Sequence, residues 1–488
     1  MTRHPVRRWP GAAAALAMTA LAACATNPVT GETQFSLMSE QQEIQVGRDM
    51  DGEIRREMGL YADTELQQYV AEVGRRLAAQ SHRPGLPWHF AVVDQPAVNA
   101  FALPGGYIYL TRGILPFLDS EAELAGVLGH EIGHVTARHA AEAYTKATSA
   151  GVGLTVLSIF VPAARPAQGL AETAFGLLFL KHGRDDERQS DRLGVEYAAK
   201  AGWDPAGVAG MLTTLSRLDE ASTSSRGVPG WLSTHPDPAD RVQTVQPIVR
   251  QAAAGRTGDP FVTNRDGFLR RLDGLVFGDH PEQGVVRAGE FLHAGLKFAL
   301  TFPGGWDVTN TETQVIAQLP GEEVYLLLQL VPQPRGRLED IAVEGMRGAG
   351  YRLVEGARTQ IGGLPAFQGT YRGRRDGVGV VLAEAAHIEY GRNVFLLVGL
   401  APERTYDRVR SDFTGSIRSF RTLSAPDAAR IQPNRLDFYT VRPGDTWQAI
   451  AARAGEGIVK ASTLAIMNHY PVNEQPRAGE RIKVVVGG

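Results

Sequence analysis

Residues Val127-Leu128-Gly129-His130-Glu131-Ile132-Gly133-His134 set two histidines four positions apart, with a glutamate directly after the first, inside a run that is otherwise uncharged. On an α-helix four residues advance a side chain by about 400°, so His130 and His134 lie about 40° apart on one face, where two imidazoles can share a cation. The spacing therefore predicts a helix here. Glu131 falls beside that face and can polarise a metal-bound water without being a ligand itself. Such a hydrolytic centre needs a third protein donor from another element and an open fourth position.

A second segment offers that donor. In Asp185-Asp186-Glu187-Arg188-Gln189-Ser190-Asp191-Arg192-Leu193-Gly194, Glu187 and Asp191 repeat the i, i+4 spacing. One helix could thus present a carboxylate to the metal and a second to the far nitrogen of a ligand histidine, fixing its tautomer. Standing alone, the run would read as a solvated acidic and basic helix face. Following a helical HExxH, the metal reading takes precedence.

Three further pieces share one pattern: Asn99-Ala100-Phe101-Ala102-Leu103-Pro104-Gly105-Gly106 ahead of the motif, Ser233-Thr234-His235-Pro236 with Arg241 after it, and Asn27-Pro28-Val29-Thr30-Gly31 near the start. Together with the HExxH they resemble the zinc peptidases related to HtpX and the CAAX prenyl proteases, most closely their BepA-type periplasmic members. The resemblance covers roughly residues 24–265, about half the chain. It implies a mainly helical gluzincin-type peptidase domain with a small β-hairpin or sheet. It also implies one zinc ion per chain, held by His130, His134 and Glu187, with Glu131 as general base and Asp191 behind a ligand histidine. His235 would either donate to the tetrahedral oxyanion or, in a resting state, occupy the open zinc position. Arg241 would hold a carboxylate near the site or stabilise developing negative charge; an ordinary surface arginine is the competing reading.

Other histidines are set aside. His139, five residues after His134, points about 140° away from it, and His182 precedes Glu187 by the same interval, so neither is expected as a ligand. His82, His89, His280, His293, His387 and His469 have no partner at ligand spacing and are read as structural.

Residues 99–102 and 107–111 read as two strands joined by Leu103-Pro104-Gly105-Gly106. An edge strand beside a metal can pair with an extended polypeptide, which makes Asn99, Ala100 and Phe101 candidate substrate-binding residues. A plain core hairpin is the alternative, and both can hold at once. Apolar stretches at 151–161 and 174–180 are too short to span a bilayer, and read as two helices that pack on the core or form a lid.

The first residues say where such a chain would work. Arg3, Arg7 and Arg8 precede an apolar run over residues 11–23, and Leu21-Ala22-Ala23-Cys24 resembles a bacterial lipobox. A secretory signal explains this better than a spanning helix, because the run is short and ends in small residues. Cys24, the only cysteine of the 488 residues, becomes the lipidation site, and Ala25 after it resembles the outer-membrane sorting pattern. Removing the three arginines with the leader takes the net charge from −3 to −6, which argues against a nucleic-acid partner.

The length suggests about three domains. The expected organisation is a lipoprotein signal peptide (1–23), the zinc metallopeptidase domain (24–265), a linker (266–285), an α+β accessory domain (286–424), a second linker (425–436) and a last small domain (437–488). Within the accessory domain, Phe298-Ala299-Leu300-Thr301-Phe302-Pro303 and Trp306 weakly resemble the opening of PsbP/Mog-like domains. Tyr439-Thr440-Val441-Arg442-Pro443-Gly444-Asp445-Thr446-Trp447 and Gly479-Glu480-Arg481-Ile482-Lys483-Val484 resemble a LysM module, a β-α-α-β unit. That resemblance implies peptidoglycan as a partner, or else a LysM fold that only packs on its neighbours.

The fold class expected is therefore α+β and multidomain. The function expected is a zinc metalloendopeptidase, anchored in the periplasm to the outer membrane, that cleaves unfolded or misassembled outer-membrane proteins. Two alternatives stand beside it: an assembly factor whose protease site is mostly latent, and a peptidoglycan-associated hydrolase.

Overall fold

The computed structural model describes residues 24–149, 182–221, 231–256, 258–287, 289–311, 314–375, 377–455 and 457–488. The expected signal peptide (1–23) and the apolar stretches at 151–161 and 174–180 lie outside the described residues. The chain divides into two compact units, one of residues up to 220 with 229–271, the other of 221–228 with 272–488.

The first unit opens with a strand pair, β1 (Cys24–Thr26) and β2 (Thr33–Phe35), and two helices, α1 (Glu40–Glu57) and α2 (Thr64–Ala78). Next come β3 (His89–Val93), β4 (Ala100–Leu103) and β5 (Tyr107–Thr111), a sheet in the order β3-β5-β4. The expected hairpin is its antiparallel half, and β3 adds a parallel partner to β5. β4 is an edge. Its turn needs glycine: Gly105 has φ +79°, and a Cβ there would lie 2.5 Å from Ile44 Cα.

The HExxH helix is α3 (Glu121–Thr136), and all 16 of its residues are buried. A helix buried all round belongs in a core, and its terminal backbone groups need polar partners as much as its buried side chains do. Ser120 Oγ caps the first turn by accepting from the Glu123 N–H. Glu121, in that turn, accepts from Tyr69 Oη at 2.8 Å and from Trp203 Nε1 at 2.8 Å. At the far end Arg83 Nη1 donates to the Val135 carbonyl and to Glu43, which also receives Arg138 Nε.

Beyond Arg138 the chain continues as α4 (His139–Ser149), and after the undescribed stretch come α5 (Arg184–Lys200), α6 (Ala206–Ala221), α7 (Trp231–Thr234), α8 (Pro238–Ala254) and α9 (Arg265–Arg271). α3 meets α5 backbone to backbone. A Cβ on Gly129 would lie 3.1 Å from Gly194 Cα, one on Gly133 3.0 Å from Ser190 Cα, and one on Gly194 3.1 Å from the His130 nitrogen. Glycines at these three positions let short carboxylate side chains on α5 reach the histidines of α3.

In the second unit β6 (Val285–Arg287), β7 (Glu290–His293), β8 (Phe298–Thr301) and, later in the chain, β16 (Arg421–Thr422) form a sheet in the order β16-β8-β7-β6. The larger sheet is antiparallel and has seven strands: β9 (Asp307–Asn310), β10 (Gln314–Gln318), β11 (Tyr325–Leu330), β12 (Tyr351–Ile361), β13 (Leu364–Arg375), β14 (Gly379–Tyr390) and β15 (Asn393–Pro402), in the order β12-β13-β14-β15-β11-β10-β9. Helix α10 (Leu338–Gly348) brings Met346 onto Ala383 and Ala385 of β14, whereas α11 (Glu403–Ser419) brings Phe413 and Ile417 onto the core containing Ala386 and Ile388. Alternate residues of a strand face opposite sides, so the two helices cover opposite faces. The mixture of helices and sheets is the α+β character expected from the sequence.

Both stretches expected as linkers are folded. Residues 265–271 are α9, and just after it Leu436 N–H donates to the Leu275 carbonyl at 2.8 Å while Leu272, Leu275 and Val276 are buried. Residues 425–429 form α12 (Ala425–Ala429), whose Ala428 packs with Val285, Ala299 and Ile431. The chain closes with β17 (Arg435–Thr440), α13 (Trp447–Ala454), α14 (Ala461–Met467) and β18 (Arg481–Val486), β17 pairing antiparallel with β18.

Replacing Gly194 by valine should force α3 and α5 apart and cost about 1–3 kcal/mol through overpacking. The expected result is a lower thermal midpoint for the first unit together with weaker metal uptake; an unchanged midpoint with full uptake would contradict the close-contact account.

Candidate metal centre

The helical turn of α3 behaves as its spacing predicts. His130 Nε2 and His134 Nε2 lie 3.0 Å apart, and both rings are buried. Across the glycine contact, α5 presents Glu187, with Oε1 3.3 Å from His134 Nε2 and Oε2 3.6 Å from His130 Nε2. A fourth group joins from the segment after α7: His235 Nδ1 is 3.0 Å from Glu187 Oε1 and 3.4 Å from His130 Nε2. Among the described residues His130, His134, Glu187 and His235 form the group able to hold a metal ion, their donor atoms all within 4.8 Å of one another.

The donor set fits zinc. In a tetrahedron with bonds of ~2.0–2.1 Å, neighbouring donors stand about 3.3–3.4 Å apart, and the separations here scatter around that value. Imidazole and carboxylate donors also suit this ion. Glu131 stays outside the cluster. Its Oε1 is buried with no hydrogen-bond partner and lies 3.6 Å from His235 Nε2, so a carboxylate oxygen is held beside the metal group without being spent on it.

Electrostatics separate the two glutamates. Burial pushes the Glu131 carboxyl up to about 7, the nearby Glu187 adding to the rise while His235 and Arg241 oppose it. Burial would raise Glu187 too, but His235, His134 and Arg241 hold it well below the usual carboxylate range. The result is one carboxylate fixed as a charged donor and another able to exchange a proton near neutrality. Burial, followed by the neighbouring His182, drives His134 well below the ordinary imidazole value, which keeps a lone pair available.

Behind the donors stands Asp191, with Oδ1 3.0 Å from His130 Nδ1. Arg241, from the first turns of α8, is 2% exposed and donates from Nε to Asp191 Oδ2 at 2.9 Å and from Nη2 to Oδ1 at 2.7 Å. Its Nη1 lies 2.5 Å from Glu187 Oε2, a charge contact misaligned as a hydrogen bond. Of the readings open to Arg241, the geometry is that of a clamp on carboxylates; it is no surface residue. His235 is placed at the metal group and not at a distance from it.

The strand residues behave less uniformly. Ala100 and Phe101 belong to the edge strand β4, but Asn99 precedes it and is engaged internally, its backbone N–H donating to Thr111 Oγ1 and its Oδ1 accepting from the Ala100 N–H. A small cavity next to the centre is lined by Ala102, Leu103, Pro104, His134, Arg138 and His182, so the strand approaches the histidines downstream of residues 99–101.

Four neighbours escape the sequence reading. His139 was set aside on the angle of an unbroken helix, but Arg138 adopts φ +63°, the helix breaks, and His139 returns over His134 with the two Nδ1 atoms 2.9 Å apart. Gln189 accepts at His139 Nε2, 2.9 Å away. His182 packs on His134 at 4.0 Å between ring centres, and Trp231 stacks on His235 at 3.9 Å. Only Trp231 carried a legible signal, since it lies one helical turn before His235.

Comparison with known proteins agrees with this centre. A family model described as Peptidase family M48 matches residues 64–249. The "Beta-barrel assembly-enhancing protease" of Escherichia coli (strain K12) is 32% identical over 292 residues, covering 55% of this chain and 59% of that protein. "Mitochondrial metalloendopeptidase OMA1" of Schizosaccharomyces pombe is 32% identical over 236 residues, covering 47% of this chain and 67% of that one. The protein of the same name from Arabidopsis thaliana is 36% identical over 191 residues, 37% of each chain. A solved cyanobacterial PsbP from Synechocystis sp. PCC 6803 shares 15% identity over 28% of this chain and 95% of its own, at a TM-score of 0.22, a likeness too slight to carry an argument.

Replacing Arg241 by methionine should leave Asp191 and Glu187 buried without their cation, at a cost of about 3–5 kcal/mol. Denaturant unfolding of the metal-free chain tests this, and a stability loss under 1 kcal/mol would contradict the clamp.

Proposed function

We propose, from the premise that the chain belongs to peptidase family M48, that it is a zinc-dependent metalloendopeptidase acting on polypeptides. The observation that carries the reading is the convergence of His130, His134 and Glu187 around one point, with the unpartnered Glu131 oxygen beside it. Zinc, when held there, acidifies a water and polarises a carbonyl oxygen. Glu131 then takes the proton of the attacking water and delivers it to the leaving nitrogen. Asp191 accepts from His130 Nδ1–H and so keeps Nε2 bare, and Arg241 holds both Asp191 and Glu187 in place.

The edge strand β4 supports an extended substrate lying beside the centre. An extended chain is what an unfolded client offers. Unfolded or misassembled outer-membrane proteins are therefore the proposed substrates, in keeping with the printed name of the Escherichia coli relative.

His235 favours a second reading. With its Nδ1 among the donors it fills the position a substrate carbonyl or water would need, so the arrangement supports a latent enzyme that holds clients more often than it cuts them. In that reading His235 must leave before hydrolysis, and it then becomes free to donate to the oxyanion.

The anchor is proposed on Cys24, placing the enzyme on the periplasmic face of the outer membrane. No helix among the described residues is long and apolar enough to cross a membrane. The β-α-α-β order of β17, α13, α14 and β18 supports a LysM-like module at residues 437–488 that grips peptidoglycan.

Glu131→Gln should retain about one zinc per chain while casein cleavage falls by roughly 10²–10⁴-fold, whereas His130→Ala should lose the metal. Wild-type turnover by Glu131→Gln, measured beside metal content, would remove Glu131 from its role. For location, Cys24→Ala should abolish partitioning into detergent, and residues 437–488 should be required for sedimentation with purified sacculi. A Cys24→Ala chain still in the detergent phase, or sedimentation that survives loss of the module, would contradict these assignments.

A further inference from the structure

His134 faces the donor group with Nε2, so its second nitrogen, Nδ1, is left for another partner. That partner is a histidine. His139 Nδ1 lies 2.9 Å away, and His139 Nε2 lies 2.9 Å from Gln189 Oε1. Ser190 Oγ stands farther from His139 Nδ1, at 3.5 Å, and Asp186 Oδ1 farther from Nε2, at 3.7 Å. His139 is 3% exposed, so its ring nitrogens must find their partners inside the protein.

We infer that His139 is a positioning residue that fixes the tautomer of the ligand His134, and that Gln189 in turn fixes the tautomer of His139. A neutral imidazole carries one hydrogen. If Nε2 of His134 gives its lone pair to a cation, that hydrogen sits on Nδ1 and points at His139. Two facing nitrogens 2.9 Å apart need one hydrogen between them, so His139 Nδ1 is the bare acceptor and His139 Nε2 carries the hydrogen. The Gln189 carbonyl oxygen is there to accept it. The opposite polarity fails at both ends: it would aim an N–H at the cation position and set the Gln189 oxygen against a bare nitrogen. Only one of the two directions satisfies the whole chain Gln189, His139, His134.

The two ligand histidines are thus held differently. His130 leans on a carboxylate, Asp191, itself clamped by Arg241. His134 leans on a neutral imidazole backed by an amide. Both supports come from segments already tied to the centre: Gln189 lies between Glu187 and Asp191 on α5, and the left-handed Arg138 turns the chain so that His139 falls over His134.

The inference rests on the reading that His130, His134 and Glu187 hold zinc, and one experiment tells the two apart. The zinc dissociation constants of the wild type, His139→Leu, His139→Asn and Gln189→Leu would be measured by competition with a chromophoric chelator. The thermal midpoints of the metal-free chains would be recorded alongside. His139→Leu should weaken zinc binding by about 10–100-fold. His139→Asn, whose side-chain oxygen can accept from His134 Nδ1–H, should recover most of that loss, which a merely structural role for the ring would not produce. Gln189→Leu should weaken binding by a smaller factor. Wild-type affinity in His139→Leu, or equal weakening by Leu and Asn at matched metal-free midpoints, would overturn the inference and leave the metal reading standing. Should His139→Leu fail to fold, unchanged affinity in Gln189→Leu would overturn it. A wild-type chain that takes up no zinc would overturn both.

Discussion

One buried guanidinium makes the rest of the centre affordable. Asp191 and Glu187 are almost wholly removed from water, and each such carboxylate would cost several kcal/mol if left alone. Arg241 meets both at once, and its planar fork matches the Asp191 carboxylate with two parallel donors. Both carboxylates can then stay charged in a dry site. Without that charge on Asp191, the hydrogen bond that orients His130 would weaken, and the ligand set would lose its fixed direction.

The clamp works only because the helices are close. α3 and α5 touch through glycine at 129, 133 and 194, and Arg241 reaches the same place from α8, which begins with Pro238 after a left-handed Asp237. Three helices therefore bring donors, base and support to one point while α3 spends all 16 of its residues in the core. A cation site built on a fully buried helix inherits the rigidity of that core. The edge strand and the segment carrying His235 supply what lies outside it.

Much of this was legible in the sequence for a simple reason. His130, His134, Glu187 and Asp191 obey helical periodicity within unbroken helices, so spacing alone predicts which face each occupies. Where the helix breaks, the logic fails. His139 was referred to an angle that assumes a continuous helix, and the φ of Arg138 invalidates that assumption. Gln189 and His182 act through contacts between segments distant in sequence, which no local period encodes. The stretch at 266–285 is rich in glycine and charge, and that at 425–436 carries two prolines, so both look like linkers, yet a few apolar residues there, Leu272, Leu275, Val276 and Ile431, are buried.

The stacking of Trp231 on His235, 3.9 Å apart and 19° from parallel, bears on how the centre could admit a client. An indole plate spans one turn of α7 and faces the imidazole, so the ring cannot swing out by a simple rotamer change without first surrendering that face. Aromatic pairs of this kind contribute about 0.5–1.5 kcal/mol beyond their burial. His235 is also held by Glu187, 3.0 Å from its Nδ1, with Glu131 3.6 Å from its Nε2, so the stack is only one part of what any opening would have to offset. In the latent reading proposed above, threshold and selectivity would share one origin, because a chain too folded to lie along β4 would make none of the contacts that offset those losses.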